Sequence, residues 1–78
     1  MVNNTLGVNN MNTMKVEIEV PDWVNWMAVD ENGNVYGYSC KPKIYIEDGY
    51  WHCMKGTSER LYNGKSPKNW KEELYQWI

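Results

Sequence analysis

The sequence predicts an α+β fold: a small antiparallel β-meander of four or five strands with one C-terminal α-helix packed on the sheet. Three observations predict it: short segments that alternate apolar and polar residues, two Gly-containing hairpin turns, and apolar residues at helical spacing near the end of the chain. A chain of 78 residues accommodates one domain with one modest core. We therefore interpret residues 14–78 as a single domain.

The segment before this domain, residues 1–13, is polar and shows no periodicity. It contains five asparagines, and it predicts a flexible Asn-rich tail. Met1, Met11 and Met14 are alternative translation starts, so the extent of the tail stays open.

The first predicted strand covers residues 14–20, where apolar residues alternate with Lys and Glu. Pro21 ends this strand. Trp23 and Trp26 follow with a spacing that fits one turn of helix or a tight bend. We expect both indoles to be structural and to close the core beside the first hairpin.

Two hairpins are predicted next. Residues 27–29 and 35–40 flank the turn at 30–34, whose Asn and Gly residues tolerate the positive φ that hairpin turns require. Gly37, in the middle of the returning strand, predicts a bulge or a close approach by a neighbouring group. Residues 43–47 and 50–54 flank a second turn at Asp48–Gly49, and a short last strand is expected at residues 61–62.

The C-terminal segment predicts the helix. Ser66 or Asn69 is a candidate N-cap, and Pro67 suits the first helical position. Apolar residues then lie at positions i, i+4, i+7 and i+8, which gives one apolar face: Trp70, Leu74, Trp77 and Ile78. About ten residues of isolated helix are marginal in water, so this helix must dock on the sheet.

Cys40 and Cys53, the two cysteines, fall on adjacent predicted strands. The sequence favours two reduced thiols in a cytoplasmic protein, with a disulfide as the alternative. One His and two Cys without ligand spacing predict no metal site. The sequence shows no run of apolar residues that could span a membrane.

Candidate catalytic groups are few. His52 is the single histidine, and a Cys40–His52 pair would require neighbouring strands. The turn at residues 30–34 lacks the ligand spacing of a calcium loop, and Glu47 and Asp48 straddle a tight turn where both are solvated. A Gly-rich phosphate loop does not occur. We therefore predict a binding protein, not an enzyme, with no catalytic residue and no cofactor.

Aromatic residues carry the functional interest. Five Trp and six Tyr, with no Phe, cannot all be interior in so small a domain. Exposed Tyr and Trp dominate the binding energy of many protein interfaces. Helix docking and core closure account for the residues predicted to be structural: Trp23, Trp26, Trp70, Leu74 and Trp77. The residues predicted to be exposed and to bind a partner are Tyr36, Tyr38, Tyr45, Tyr50 and Trp51.

Two uses of these aromatics stay open. They form a protein–protein patch, for a target or for a second copy in a homo-oligomer, or they stack on bases. In the second case Lys41, Lys43 and Arg60 would contact the phosphates. The same three side chains could instead contact an acidic partner. The net charge of −2 argues against a duplex-DNA binder, which needs a concentrated basic surface.

The stretch Pro21 to Gly33, Pro-Asp-Trp-Val-Asn-Trp-Met-Ala-Val-Asp-Glu-Asn-Gly, resembles a pattern of small bacteriophage-encoded accessory proteins. With the aromatic strands, Pro42 and the Trp-containing C-terminal segment, the resemblance covers residues 20–78. It implies a product that acts on the bacterial host, and it carries over no catalytic residue.

These observations give three hypotheses. The first is a phage protein that binds and inhibits a bacterial host or defence protein in the host cytoplasm, as a counter-defence factor. The second is a sponge that sequesters a nucleotide signal in an aromatic pocket between subunits. The third is a binder of single-stranded nucleic acid.

Overall fold

Antiparallel β-sheet dominates a computed structural model of the chain, which describes residues 4–9 and 15–77, with side chains from Ile18 onward. Within these residues lie eight strands and one 3₁₀ turn (Trp70–Glu72). The strands are β1 (Asn4–Asn9), β2 (Lys15–Val20), β3 (Trp26–Val29), β4 (Asn34–Tyr38), β5 (Lys43–Tyr45), β6 (Tyr50–His52), β7 (Ser58–Asn63) and β8 (Leu74–Gln76). They form a four-stranded sheet of order β7-β4-β3-β8 and two two-stranded sheets, β1-β2 and β5-β6.

The predicted C-terminal α-helix is wrong, and with it the α+β class and the simple meander. Residues 70–72 form a single 3₁₀ turn, and Leu74–Gln76 then pairs with β3 as an edge strand. Bonds flanking the pairing fix this strand, because the amide of Val29 donates to Glu73 O (3.0 Å) and the amide of Trp77 to Asn25 O (2.8 Å). The edge of β3 offers these backbone partners, and a short isolated helix has too little intrinsic stability to compete.

The predicted first hairpin is confirmed by β3 and β4, which pair from Trp26 opposite Tyr38 to Val29 opposite Val35. Gly33 lies in its turn with φ of 96°, the positive value expected there. The expectation for Gly37 is also confirmed. A Cβ at Gly37 would lie 2.7 Å from Cγ2 of Val24, and the register of β4 against β7 shifts between Val35 and Tyr36.

Side chains on the two faces of the four-stranded sheet enter two separate cores. Core A contains Ala28, Tyr38, Trp51, Cys53 and Trp70. Core B, on the opposite face, contains Val20, Val24 and Met27. Successive residues of β3 thus point to opposite cores, so its sequence is apolar on both faces. The four-stranded sheet is therefore covered on both faces, whereas the sequence predicts one core.

The β5–β6 hairpin covers the core A side of the sheet. Ile44 lies opposite Trp51 in its register, and both pack into core A. Gly49, with φ of 82°, forms the predicted second turn. A disulfide between Cys40 and Cys53, with Cα atoms 6.0 Å apart, closes the loop that contains this hairpin. The expectation of two reduced thiols is therefore wrong for this structure.

The N-terminal segment pairs with the first predicted strand. β1 runs antiparallel to β2 from Asn4 opposite Val20 to Asn9 opposite Lys15. The structure thus gives a strand to part of the predicted tail, while residues 1–3 and 10–14 lie outside the described residues. In the ranges that the structure describes, no helix is long and apolar enough to cross a membrane.

Candidate binding site

Trp51 fixes the β5–β6 hairpin on the sheet. It lies on the inner face of β6 and is only 8% exposed. Its indole Nε1–H donates to the carbonyl oxygens of Val29 (3.0 Å) and Trp70 (3.4 Å), and its own carbonyl accepts from the hydroxyl of Tyr38 (3.0 Å). Because these bonds join the hairpin to β3, β4 and the 3₁₀ turn, the hairpin has one defined orientation.

Asp30, at the end of β3, contributes a buried carboxylate beside Trp51. Its residue is 6% exposed, and its Oδ1 accepts the backbone N–H of Trp51 (2.9 Å). The hairpin turn aims it there, since the Asp30 amide donates to Asn34 O (2.9 Å) and its carbonyl accepts from Gly33 N–H (2.9 Å). Burial raises the pKa of Asp30, and the Trp51 N–H opposes this change.

Tyr38 lies at the centre of core A, 1% exposed, with its ring stacked near Tyr36 (centroids 6.3 Å apart). Burial raises the pKa of the Tyr38 phenol, and the charge of Asp30 adds to this effect. The phenol therefore stays protonated across the physiological pH range, and its hydroxyl remains a donor to the Trp51 carbonyl.

The outer face of the β5–β6 hairpin carries three aromatic rings, Tyr45, Tyr50 and His52, which we call the outer aromatic cluster. The Tyr45 and Tyr50 rings stack with centroids 5.6 Å apart, and His52 meets them edge-on at 6.2 and 6.4 Å. Tyr50 is 41% exposed, His52 is exposed and Tyr45 is half-buried. Strand alternation explains the arrangement, because Trp51 points inward between two outward residues.

A pocket of about 290 Å³ opens beside this cluster, between the β3–β4 turn and the β5–β6 hairpin. Its walls come from both turns, from β4 and from the start of β7. The residues that define its chemistry are Asp30, Asn34, Tyr36, Asp48, Tyr50 and His52. The pocket therefore combines aromatic rings with carboxylate, amide and imidazole groups.

Three hydrogen bonds brace the rim of this pocket. The amide of Glu31 donates to Gly49 O (2.9 Å), which joins the β3–β4 turn to the β5–β6 turn. The side-chain oxygen of Asn32 accepts the amide of Asn34 (3.0 Å). Ser66, predicted as a helix cap, instead donates its hydroxyl to the carbonyl of Glu31. Bonds within the chain itself thus hold the rim.

The residues predicted to bind a partner divide into two groups. Tyr45 and Tyr50 belong to the outer aromatic cluster, and Tyr36 is half-buried and lines the pocket with Tyr50. Tyr38 and Trp51 also border the pocket but are buried in core A, so the expectation that they are exposed is wrong. The accessible part of the predicted set is Tyr36, Tyr45 and Tyr50.

The basic residues predicted to contact phosphates or an acidic partner lie outside the lining of the pocket. The ammonium of Lys41 lies 5.3 Å from the centroid of the Trp26 ring. Lys43 stands opposite His52, and Arg60 stands opposite Tyr36. All three are exposed, and none lines the pocket.

The residues predicted to be structural pack against the two cores. Trp26 and Leu74 contact core A, in which Trp70 is buried, whereas Trp23 and Trp77 contact core B. The shared helical face predicted for Trp70, Leu74 and Trp77 is therefore split between opposite sides of the sheet. Ile78 lies outside the described residues.

Sequence reasoning missed the polar half of the pocket. The sequence indicates only turn residues at Asp30, Asn32 and Asn34, and a solvated carboxylate at Asp48. The feature of the sequence that indicates a polar site here is that both turns carry polar side chains directly beside aromatic strands. The missing information was that the two turns meet in space.

Comparison of the chain with protein-family models, with curated proteins and with solved structures gave no match.

Proposed function

We propose that this chain is a non-enzymatic binding protein that engages a protein partner through the outer aromatic cluster. The observation that carries the proposal is the stacked Tyr45–Tyr50 pair with His52 on the outer face of a hairpin whose inner face is fixed by Trp51. Exposed tyrosines supply large contact area with little side-chain entropy to lose.

Preorganisation supports a binding role for this face. A partner that lands on a flexible hairpin must order it, which weakens affinity. Here the Trp51 indole, the Asp30–Trp51 bond and the Glu31–Gly49 bond already hold the hairpin in place. Ile46, 55% exposed beside the turn, extends the apolar part of the same hairpin.

The biological form that we propose follows the resemblance to bacteriophage accessory proteins. The partner is a bacterial host or defence protein, binding inhibits it, and the site of action is the host cytoplasm. That compartment keeps thiols reduced, so the proposal requires the hairpin to keep its position without the Cys40–Cys53 bond. The Trp51 contacts provide this second means of attachment.

The lining of the pocket favours this proposal over the nucleotide sponge. Asp30 and Asp48 lie where a phosphate would need cations, and the described residues that line the pocket include neither Lys nor Arg. Lys41, Lys43 and Arg60 are exposed and do not line the pocket, so the predicted phosphate contacts are not part of its lining.

The test is a capture experiment with matched variants. Tagged wild type, the Tyr45→Ala/Tyr50→Ala double variant and the control Tyr75→Ala are incubated with extract of infected bacteria. Tyr75 is a suitable control because it is an exposed tyrosine on β8, away from the hairpin. We expect wild type and Tyr75→Ala to capture the same partner. The double variant should bind that partner about thirtyfold more weakly, which corresponds to a loss of about 2 kcal/mol of binding free energy.

Two results would contradict the proposal. The first is recovery of the bait alone in every sample. The second is a stable homodimer, by size measurement in solution, that the double variant converts to monomer, because the cluster would then be occupied by a second copy.

A further inference from the structure

The pocket beside the outer aromatic cluster has an acidic floor and aromatic walls. Asp30 forms the floor and Asp48 lies on the exposed rim, while the rings of Tyr36 and Tyr50 contribute to the walls. Among the described residues that line it, His52 is the one with a basic side chain. The described part of the lining therefore carries two carboxylates and neither Lys nor Arg.

The floor of the pocket has unused acceptor capacity. An ionised carboxylate offers about four acceptor positions. The described residues give the Asp30 side chain one donor, the backbone N–H of Trp51, which contacts Oδ1. A carboxylate this buried is stabilised in its ionised form when a charged donor approaches it. The ligand that fits this floor is a cation with several N–H groups.

We propose that the pocket receives a basic side chain, arginine or lysine, presented by the protein partner. The charged head lies at Asp30, and the apolar stem packs along Tyr36 and Tyr50. The inference rests on the proposed function, because the outer aromatic cluster must hold the partner surface that delivers this side chain.

The dimensions and the chemistry of the walls agree with this occupant. About 290 Å³ is at the lower end of the volumes of small-molecule sites, and it accommodates one long side chain. Tyrosine faces attract cations through their ring quadrupoles. Arginine and lysine also bury their methylene stems on apolar surface while the charge stays at a polar group. A neutral side chain of the same shape would give the Asp30 carboxylate no opposite charge.

The test uses short blocked peptides and the full chain. A peptide with one arginine is compared with the same peptide carrying citrulline, which has nearly the same shape but no charge; lysine is compared with acetyl-lysine. Binding is followed by NMR chemical-shift changes of the labelled protein. We expect saturable shifts of pocket residues for the charged peptides and at least about tenfold weaker binding for the neutral ones.

Asp30→Asn is the matched variant, because its side-chain oxygen still accepts the Trp51 N–H that Asp30 accepts now. Asp22→Asn, an exposed carboxylate before β3, is the control for loss of one negative charge. We expect Asp30→Asn to weaken the charged peptides at least about tenfold and Asp22→Asn to leave them unchanged. An unchanged amide spectrum away from the pocket shows that Asp30→Asn folds.

The outcomes separate the two proposals. Equal binding of arginine and citrulline, shifts outside the pocket, no saturable shift, or full binding by Asp30→Asn would each overturn the inference. If the captured partner still depends on Tyr45 and Tyr50 in those cases, the proposed function stands without it. If the charged peptides bind in the pocket but no partner is captured, the charge selectivity of the pocket survives and the proposed function fails.

Discussion

Replacement of Trp51 is the sharpest test of how the candidate site is held. In Trp51→Phe the ring remains, but the indole donor to Val29 O (3.0 Å) and Trp70 O (3.4 Å) is lost. One net hydrogen bond is worth about 0.5–1.5 kcal/mol, and a carbonyl left unsatisfied in the interior costs about 1–3 kcal/mol. We therefore expect Trp51→Phe to lower the free energy of unfolding by about 1–3 kcal/mol, and Trp51→Ala by about 3–5 kcal/mol.

Urea unfolding followed by circular dichroism measures this loss without relying on Trp51 fluorescence. A decrease of 2 kcal/mol corresponds to a fall in Tm of about 8–16 °C for a chain of this size. Tyr50→Phe is the control, because Tyr50 is adjacent and partly exposed, and it is expected to stay within about 0.5 kcal/mol of wild type. A Trp51→Phe variant as stable as this control would refute the idea that the indole bonds fix the hairpin.

Three further predictions concern the turns, the buried acid and the disulfide. Gly33→Ala should lower the free energy of unfolding much more than Gly49→Ala in a urea titration, although both glycines have positive φ. A Cβ at Gly33 would lie 2.7 Å from the backbone nitrogen of Ser66, whereas a Cβ at Gly49 would meet the flexible Glu31 side chain. Equal losses of stability would contradict this. Because burial raises the pKa of Asp30, its contribution to stability is present below its ordinary value of 3.8 and is lost as pH rises through the folded pKa. Asp30→Asn should therefore be more stable than wild type at neutral pH, and the difference in Tm between the two should shrink at acidic pH. Thermal melts that show the same difference at both pH values would contradict this. The Cys40→Ser/Cys53→Ser double variant should lose about 3 kcal/mol, and wild type in reducing buffer should match it.

Local signals predicted the central hairpin correctly. The polar turn at residues 30–34 determines how β3 and β4 pair, and this information lies within a few consecutive residues. Gly37 shows how far such reasoning extends. A glycine in a strand indicated a close neighbour, but only the structure identifies that neighbour as Val24, from the segment before β3.

The C-terminal segment could not be predicted in this way. Apolar residues at positions i, i+4 and i+7 fit one face of a helix, and the sequence alone gives no weight to the open edge of β3. In the structure this edge takes up Leu74–Gln76, and the indoles of Trp70 and Trp77 reach opposite cores. Backbone pairing supplied by a distant strand thus overrides the local pattern.

The same distinction explains the candidate site. Strand alternation within one hairpin places Tyr45 and Tyr50 on one face and Trp51 on the other. It cannot show which face is covered, and so Trp51 was assigned to the surface. The pocket needs still more information, since Asp30 and Asp48 come from different turns that meet through the Glu31–Gly49 bond.

The disulfide and the Trp51 hydrogen bonds restrain the β5–β6 hairpin in different ways. The Cys40–Cys53 bond closes the loop around the hairpin, which restricts the unfolded chain but does not by itself orient the hairpin. The Trp51 bonds to Val29, Trp70 and Tyr38 set its orientation on the sheet. Reduction should therefore lower stability while the outer aromatic cluster keeps its geometry. Trp51→Ala, which removes the indole bonds to Val29 and Trp70, should loosen the hairpin even with the disulfide intact. A binding face that survives reduction is what action in a reducing compartment requires.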